Sequence, residues 1–181
     1  MSAKRTHYEL AFEAHLNRRG TPYVAVEDVR HFVKERTGLK GFDYIVYPAA
    51  GPACLVDVKG RKCRGLGDDG ECRQKNWVTR ADIAGLEAWQ ELFGPGYAAA
   101  FVFAYWLAGG GGPAQPPLNG SICEPVMSFA GRQYSFWIVS AADYARHHKR
   151  LSRRWDTVSV PRDAFRMISK PLVSIWPAAP C

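Results

Sequence analysis

Two short runs, Phe42-Asp43-Tyr44-Ile45-Val46-Tyr47 and Ala53-Cys54-Leu55-Val56-Asp57-Val58-Lys59, decide the fold of this chain. Both are rich in the β-branched and aromatic residues that favour strands, and each is followed by a breaker, Pro48 or Gly60. The loop between them has about five residues, a common length for a hairpin. We therefore expect two neighbouring strands that pair with each other.

Charged side chains interrupt these apolar strands. Because side chains alternate along a strand, Asp57 and Lys59 point to the same face, with their Cα atoms roughly 7 Å apart. Pairing of the two strands brings Asp43 beside Asp57. Two close carboxylates repel each other, and a hard divalent cation such as Mg²⁺ removes that repulsion. Lys59 then lies where it can position or deprotonate an attacking water, or neutralise charge on a phosphate.

The rest of the chain alternates helices and strands. Residues 4–19 predict a helix that ends at Gly20, and a second helix begins after Thr79, a predicted N-cap with Asp82 as its capping partner. Strands are expected over Tyr97–Leu107 and Gln133–Ser140, and a short helix ends near residue 168. This order predicts an α/β fold with a central mixed β-sheet flanked by helices. We expect a single domain over residues 1–170, a Gly/Pro-rich surface loop over 108–120 and a loose Pro-rich tail over 171–181.

The composition narrows the class of protein. The 181 residues are 47% hydrophobic and 23% charged, which excludes disorder of the whole chain. A formal net charge of +7 favours a phosphate-bearing partner. No signal peptide is visible, and the longest apolar run, residues 97–108, is shorter than the roughly 18 residues that a membrane span needs. We expect a soluble, cytoplasmic protein without a membrane partner.

The five cysteines contain no C-x-x-C pair. Reduced thiols in a cytosolic protein are the expected state. A zinc site is the alternative, and it would be built from Cys54, Cys63, Cys72 and Cys123.

Asp43 followed by Leu55-Val56-Asp57-Val58-Lys59 resembles the core of the PD-(D/E)xK nuclease superfamily, which includes restriction endonucleases and archaeal Holliday junction resolvases. Phe42 stands where the superfamily's name has proline. The resemblance implies a restriction endonuclease-like core and Mg²⁺ or Mn²⁺ as cofactor. It further implies Lys59 as the catalytic lysine and a set of metal ligands comprising Glu9, Asp43 and Asp57. Glu13, one helical turn after Glu9, is the second choice for the helix-borne ligand.

Two groups of basic residues are candidates for phosphate contacts. The first group directly follows the predicted catalytic lysine, as in resolvase-like members, and consists of Arg61, Lys62 and Arg64. The second lies on a segment, 141–154, expected to be a basic helix or an extended arm, and consists of Arg146, Lys149, Arg150, Arg153 and Arg154. A solvated helix face is the alternative reading of the second group.

His7-Tyr8-Glu9-Leu10-Ala11-Phe12-Glu13 resembles the signature of the HYExAFE family of bacterial proteins. The likeness extends through Phe42-Asp43, the Asp57–Arg61 segment, residues 76–79 and residues 92–96. It implies a family name but no established activity.

These observations lead to a magnesium-dependent nuclease that hydrolyses DNA phosphodiester bonds as the first hypothesis. A catalytically inactive nucleic-acid-binding or scaffold protein with the same fold is the second. A homodimer is a further expectation of the resemblance, because cutting two strands requires two sites. His7 and His15, near the inner stripe of the first helix, are expected to be partly buried structural residues.

Overall fold

The computed structural model describes residues 5–26, 38–63, 75–108 and 126–176. Its helices are α1 (His7–Arg18), α2 (Arg80–Phe93), α3 (Ala141–His147), α4 (Arg162–Ile168) and α5 (Leu172–Ile175). Its strands are β1 (Tyr23–Ala25), β2 (Tyr44–Val46), β3 (Ala53–Cys63), β4 (Val78–Thr79), β5 (Tyr97–Leu107), β6 (Met127–Phe129), β7 (Arg132–Ser140), β8 (Lys149–Ser152), β9 (Thr157–Ser159) and β10 (Lys170–Pro171).

The large sheet has the strand order β1-β2-β3-β5-β7-β10, and β6 also pairs with β7. The central pair β3 and β5 is parallel, while the other neighbours are antiparallel. The prediction of a central mixed sheet flanked by helices is therefore confirmed. β4, β9 and β8 form a second, three-stranded sheet.

Helices cover both faces of the large sheet. On one face, α1 packs Phe12 and Leu16 against Val56 and Val102 of the central strands. On the other face lies a second core, to which the alternate residue Leu55 belongs together with side chains of α2, α3 and α4. The alternation along β3 consequently directs Asp57 and Lys59 towards α2 rather than α1.

The ends of α1 and α2 follow capping chemistry. α1 begins after Thr6 and α2 after Thr79, and each threonine forms a capping box with the acidic residue three positions later. Thr79 and Asp82 are thus confirmed as the predicted cap. The predicted stop at Gly20 is also confirmed, since this glycine has φ = 64°, a conformation that favours glycine.

The basic segment 141–154 differs from the predicted continuous helix or arm. Its first half is helix α3, and its second half enters β8, which pairs with β9 in the small sheet. His148 lies between them in an extended conformation that ends the helix. The segment is therefore a helix followed by the first strand of a hairpin.

The chain from residue 171 was expected to be loose, but it remains packed up to residue 176. β10 pairs with β7, and α5 follows it directly. Leu172 and Trp176 are buried in the core beside α1, and the Trp176 carbonyl accepts a hydrogen bond of 2.9 Å from Arg19 Nε. Apolar burial by these two residues explains the ordered segment.

Most of the expected 108–120 loop lies outside the described residues, as do 27–37, 64–74 and 177–181. Within the described part of the chain, no helix is both long and apolar enough to cross a membrane.

Candidate functional site

Asp57 and Lys59 form an ion pair on β3. The Lys59 ammonium nitrogen lies 2.7 Å from Asp57 Oδ2. Asp57 is 4% exposed, and the Lys59 side chain is 15% exposed. The structure therefore brings together the two charged residues that the alternation of β3 placed on one face.

A second carboxylate, Asp82 at the start of α2, shares the same ammonium. Lys59 Nζ lies 2.9 Å from Asp82 Oδ1, and the Lys40 ammonium pairs with that oxygen as well. The other oxygen, Oδ2, accepts hydrogen bonds of 2.6 Å from both the backbone N–H and the hydroxyl of Thr79. We call Lys40, Asp57, Lys59 and Asp82 the β3–α2 charge cluster.

Asp43 lies beside this cluster, at the start of β2. Tyr44 is opposite Val56 in the antiparallel register, so that Asp43 stands opposite Asp57. The Asp43 side chain is buried, and its Oδ2 accepts a hydrogen bond of 2.6 Å from the Val58 N–H. The predicted juxtaposition of Asp43 with the Asp57–Lys59 strand is thus present.

The structure does not bring Glu9 into the same group. Its Oε2 accepts a hydrogen bond of 2.6 Å from the Thr6 N–H, so this carboxylate closes the α1 capping box. Among the described residues, no three acidic, histidine or cysteine side chains are gathered closely enough to hold a metal ion. The expected convergence of Glu9 with Asp43 and Asp57 is therefore wrong for this structure, because α1 uses Glu9 as a cap.

The second choice, Glu13, has other partners. It is buried, accepts a hydrogen bond of 2.8 Å from the Tyr44 hydroxyl and pairs with Arg5 at 2.7 Å. These contacts attach α1 to β2, which is a structural role.

The charged groups of the cluster shift one another's pKa values. Burial raises the pKa of the Asp57 carboxyl, and the Lys59 ammonium offsets this only in part because it is shared. Burial opposes the charged form of Lys59, but Asp57 and Asp82 outweigh it and raise the Lys59 pKa. Burial likewise opposes ionisation of Asp82, yet Lys59, Lys40 and Thr79 hold its pKa well below the usual range. Lys59 is thus a fixed cation, and Asp57 is the less compensated carboxylate.

Sequence reasoning assigned Asp82 a capping role alone and missed its ion pairs. A signal existed, because Asp82 is the capping residue of the helix that follows β3 and so faces the carboxyl half of that strand. Lys40 carried no signal, since it precedes β2 in an irregular segment.

The basic residues after Lys59 have different surroundings. The Arg61 guanidinium lies 4.0 Å from the Trp77 ring centroid and donates to the backbone carbonyls of Gly60 and Trp77. The Arg61 side chain therefore packs against its own domain, and burial lowers the pKa of its guanidinium. Lys62 is exposed, with its ammonium 4.3 Å from the Trp106 ring centroid, and Arg64 lies outside the described residues.

The second basic group is exposed on α3 and on the β8–β9 hairpin. Arg146 pairs with Asp143 at 3.3 Å within α3. The exposed cations of the hairpin are Lys149, Arg150, Arg153 and Arg154.

The cysteines do not fit the zinc alternative. Cys54 and Cys63 lie nine positions apart on the extended strand β3, a separation of roughly 30 Å. Zinc thiolates all lie about 2.3 Å from one ion, so these two cannot share it. Cys54 is free and buried, whereas Cys63 is disulfide-bonded, so the expectation of reduced thiols fails at Cys63.

A cavity of about 330 Å³ lies at the opposite end of the sheet, near Cys54, Ser140 and Trp176. None of the four residues of the β3–α2 charge cluster lines it. The cluster lies instead beside the start of the short strand β2, where β3 extends beyond its neighbour.

The oxygen donors beside β3 suit a hard divalent cation. Asp43 and Asp57 offer carboxylate oxygens, the ligands that Mg²⁺ and Mn²⁺ prefer. Two carboxylates are a sufficient protein contribution for Mg²⁺, which usually retains several waters. The chemistry of these two donors is therefore compatible with such an ion without Glu9.

No family model and no curated protein matches this chain, so the HYExAFE family name is not supported. A solved structure does match, that of Hjc, a Holliday junction resolvase from the archaeal hyperthermophile Archaeoglobus fulgidus. The TM-score is 0.54 and the sequence identity is 10%, and the match covers 99% of this chain and 100% of that one. The likeness shows the fold: this chain has a restriction endonuclease-like core.

Proposed function

We propose that this protein is a metal-dependent nuclease that hydrolyses phosphodiester bonds in DNA. The observation that carries the proposal is the buried Asp57–Lys59 pair on one face of β3, with Asp43 opposite Asp57. The fold shared with a Holliday junction resolvase and the net charge of +7 support it.

Asp43 and Asp57 would hold the metal ion, with Mg²⁺ or Mn²⁺ as the candidates. When bound, such an ion supplies Lewis-acid chemistry at the phosphate. Glu9 is left out of the ligand set because it closes the α1 cap.

Lys59 acts in this proposal as a positioned cation. Because Asp57 and Asp82 raise its pKa, the ammonium stays protonated at neutral pH and is a poor base. A fixed positive charge instead stabilises the negative charge that develops on a phosphate during attack. Asp82 is a positioning residue, since it holds the Lys59 ammonium from the α2 side at 2.9 Å.

A cleavage assay tests the proposal. Plasmid and branched DNA are incubated with Mg²⁺ or Mn²⁺ and the wild type, Asp57→Asn or Lys59→Met. Each substitution should lower the cleavage rate by at least about 100-fold, as loss of one electrostatic stabiliser does. Glu87→Gln, on the exposed side of α2, is the control and should cleave normally. Cleavage that survives both cluster substitutions overturns the proposal.

A catalytically inactive nucleic-acid-binding protein is the second candidate. The observation that favours it is that the expected catalytic groups already have partners within the protein. Lys59 contacts two carboxylates, and Glu9 closes the α1 capping box. This candidate predicts DNA binding that weakens with salt, requires Arg150 and Arg153, and is insensitive to Asp43→Asn. Calorimetric titration with Mg²⁺ separates the two, because only the nuclease requires an ion site that Asp43→Asn abolishes.

A homodimer and a cytoplasmic location stay predictions, as does one domain spanning residues 1–170. Packing of residues 171–176 extends that proposed domain by one short strand and helix.

A further inference from the structure

The β8–β9 hairpin presents an aromatic residue at its tip. Four residues, 153–156, connect Ser152 to Thr157, which are paired across the two strands. Trp155 in this turn is 68% exposed, and Leu151 on the neighbouring strand is 58% exposed. Apolar side chains exposed on one hairpin among charged residues mark the tip as a candidate contact surface.

The backbone of the tip takes part in three hydrogen bonds. The Trp155 N–H donates to Ser152 Oγ at 3.4 Å, and the Asp156 N–H donates to the Arg153 carbonyl at 3.4 Å. The Asp156 carbonyl in turn accepts a bond of 3.1 Å from the Arg80 N–H. These bonds constrain the turn that carries the indole, which reduces the backbone entropy lost when Trp155 binds a partner.

These contacts also locate the tip next to the β3–α2 charge cluster. Arg80 is the first residue of α2, and Thr79 before it pairs with Thr157 of the hairpin. Thr79 is the N-cap of α2, and its hydroxyl accepts a hydrogen bond from the Asp82 N–H. The Asp82 carboxylate contacts the Lys59 ammonium at 2.9 Å. The hairpin and the cluster thus share the N-terminal end of α2.

The charge around Trp155 favours a polyanion. Arg153 and Arg154 directly precede Trp155, and Asp156 follows it. The Arg154 guanidinium carbon lies 5.1 Å from the Trp155 ring centroid. Lys149 and Arg150 extend the basic surface along β8. Within the described ranges, no ion pair joins any of these four cations to a carboxylate. They remain available to phosphates, which bind such cations with release of counterions.

An exposed aromatic ring beside basic side chains is an arrangement that binds unpaired nucleotides, because every base offers a face for stacking and the cations contact the backbone phosphates. We propose that Trp155 stacks on an unpaired base of single-stranded or locally opened nucleic acid, while Arg153 and Arg154 contact the adjacent phosphates. This inference rests on the proposed function and deepens it, since it names unpaired nucleotides as the substrate feature recognised beside Lys59. A fully paired duplex buries its base faces and would engage only the arginines.

Equilibrium binding without metal tests the proposal apart from cleavage. Fluorescence anisotropy is recorded in EDTA with a labelled 20-nucleotide oligothymidine and with a labelled 20-base-pair duplex. Trp155→Ala should weaken binding of the single strand by roughly 5- to 150-fold, the range of one lost base stack, and change duplex binding less than about 2-fold. Trp155→Phe should retain most of the single-strand affinity, and Arg154→Ala should weaken binding of both ligands and lower its salt dependence.

Leu92→Ala is the matched control, because Leu92 is equally exposed at 68% but lies near the opposite end of α2. It should leave both affinities unchanged. Equal loss for single strand and duplex in Trp155→Ala, or no loss at all, overturns the stacking proposal. Binding to phosphatidylserine vesicles that depends on Trp155, with no preference for single strands, overturns it as well.

The two proposals fail separately. If Asp57→Asn leaves cleavage intact while Trp155 still selects single strands, the catalytic assignment fails and the stacking assignment stands. If Trp155→Ala binds normally while Asp57→Asn abolishes cleavage, the reverse holds.

Discussion

Asp57 and Asp82 share one ammonium but differ in what their ionisation does for the fold. Asp82 has two ammonium partners and two hydrogen bonds from Thr79, so its charge is stabilised where it lies. Asp57 pairs with the shared Lys59 ammonium and is buried between the sheet and α2, so burial raises its pKa. A carboxylate kept in an unfavourable setting is typical of a residue retained for chemistry.

Substitution of the two aspartates should therefore separate stability from activity. Asp82→Asn leaves Lys59 and Lys40 short of a counter-charge, and breaking a buried ion pair costs about 3–5 kcal/mol. Asp57→Asn removes an unfavourably buried charge, so we expect the free energy of unfolding to change by less than about 1 kcal/mol. Urea denaturation at pH 7 measures both, with Glu87→Gln as the exposed control. A larger loss for Asp57→Asn than for Asp82→Asn would contradict this assignment.

Single residues show how far the sequence predicts the site. The shared face of Asp57 and Lys59 followed from strand alternation, and the position of Asp43 followed from the hairpin. Glu9 was assigned as a metal ligand from the resemblance to the nuclease superfamily, and its capping role was missed because the helix was expected to begin at residue 4 instead of His7. Thr6-His7-Tyr8-Glu9 has the T-x-x-E pattern of a capping box, so the observed start of α1 was readable from the sequence.

At the scale of elements, α2 is docked through its contacts with the segment that carries Lys40. The Trp89 indole N–H donates to the Lys40 carbonyl at 2.9 Å. Gly85, one turn earlier, lets that carbonyl approach the helix closely, since a Cβ there would lie 2.6 Å from it. The glycine is thus needed for space, and the same contact sets the position of Lys40 beside Asp82.

Gly85→Ala should consequently destabilise the fold despite the better helix propensity of alanine. Overpacking of this kind costs about 1–3 kcal/mol, while alanine gains up to about 1 kcal/mol in a helix. We expect a net loss of about 1–2 kcal/mol in urea denaturation, together with reduced cleavage because Lys40 is displaced. Gly96→Ala is the matched control, because nothing lies within 4 Å of a Cβ at that position. Equal stability of both variants would show that the Lys40 contact is not close.

Elements with regular apolar patterns were predictable, and those with mixed patterns were not. β5 is apolar on both faces and was predicted with its observed bounds, Tyr97–Leu107. β8 is an exposed edge strand, and its closely spaced charged residues are equally typical of a solvated helix face. The prolines near the end of the chain predicted a loose segment over 171–176. Its packing depends instead on contacts of Leu172 and Trp176 with α1, which is distant in sequence.

At the scale of the whole molecule, the large sheet separates two cores that differ in polarity. The α2 side encloses the charge cluster, whereas the α1 side is almost wholly apolar. Two ionisable side chains of α1 are buried on this side. Glu13 has the Tyr44 hydroxyl and Arg5 as partners. His15 is buried against Phe136, with ring centroids 5.1 Å apart, and among the described residues its Nε2 has no hydrogen-bond partner. It is buried, as expected, but only in its neutral form is it compatible with that core.

Acid should therefore unfold the protein partly through His15. Burial, together with the charges of Arg19 and Arg18, lowers the pKa of His15 from its ordinary 6.5 to about 4. Between these values the unfolded chain binds a proton that the folded chain does not, so stability is full above pH 6.5 and falls as the pH drops towards 4. The contribution lost is about 2–3 kcal/mol.

The difference between the wild type and His15→Leu isolates this group from the carboxylates that titrate in the same range. Urea denaturation at pH 7 and pH 4 should show His15→Leu gaining about 2–3 kcal/mol relative to the wild type on acidification. His147→Leu, which replaces an exposed histidine at the end of α3, should show no such gain. If both variants respond alike to acid, the imidazole of His15 reaches water in the folded protein, and the α1 layer does not seal that face of the sheet.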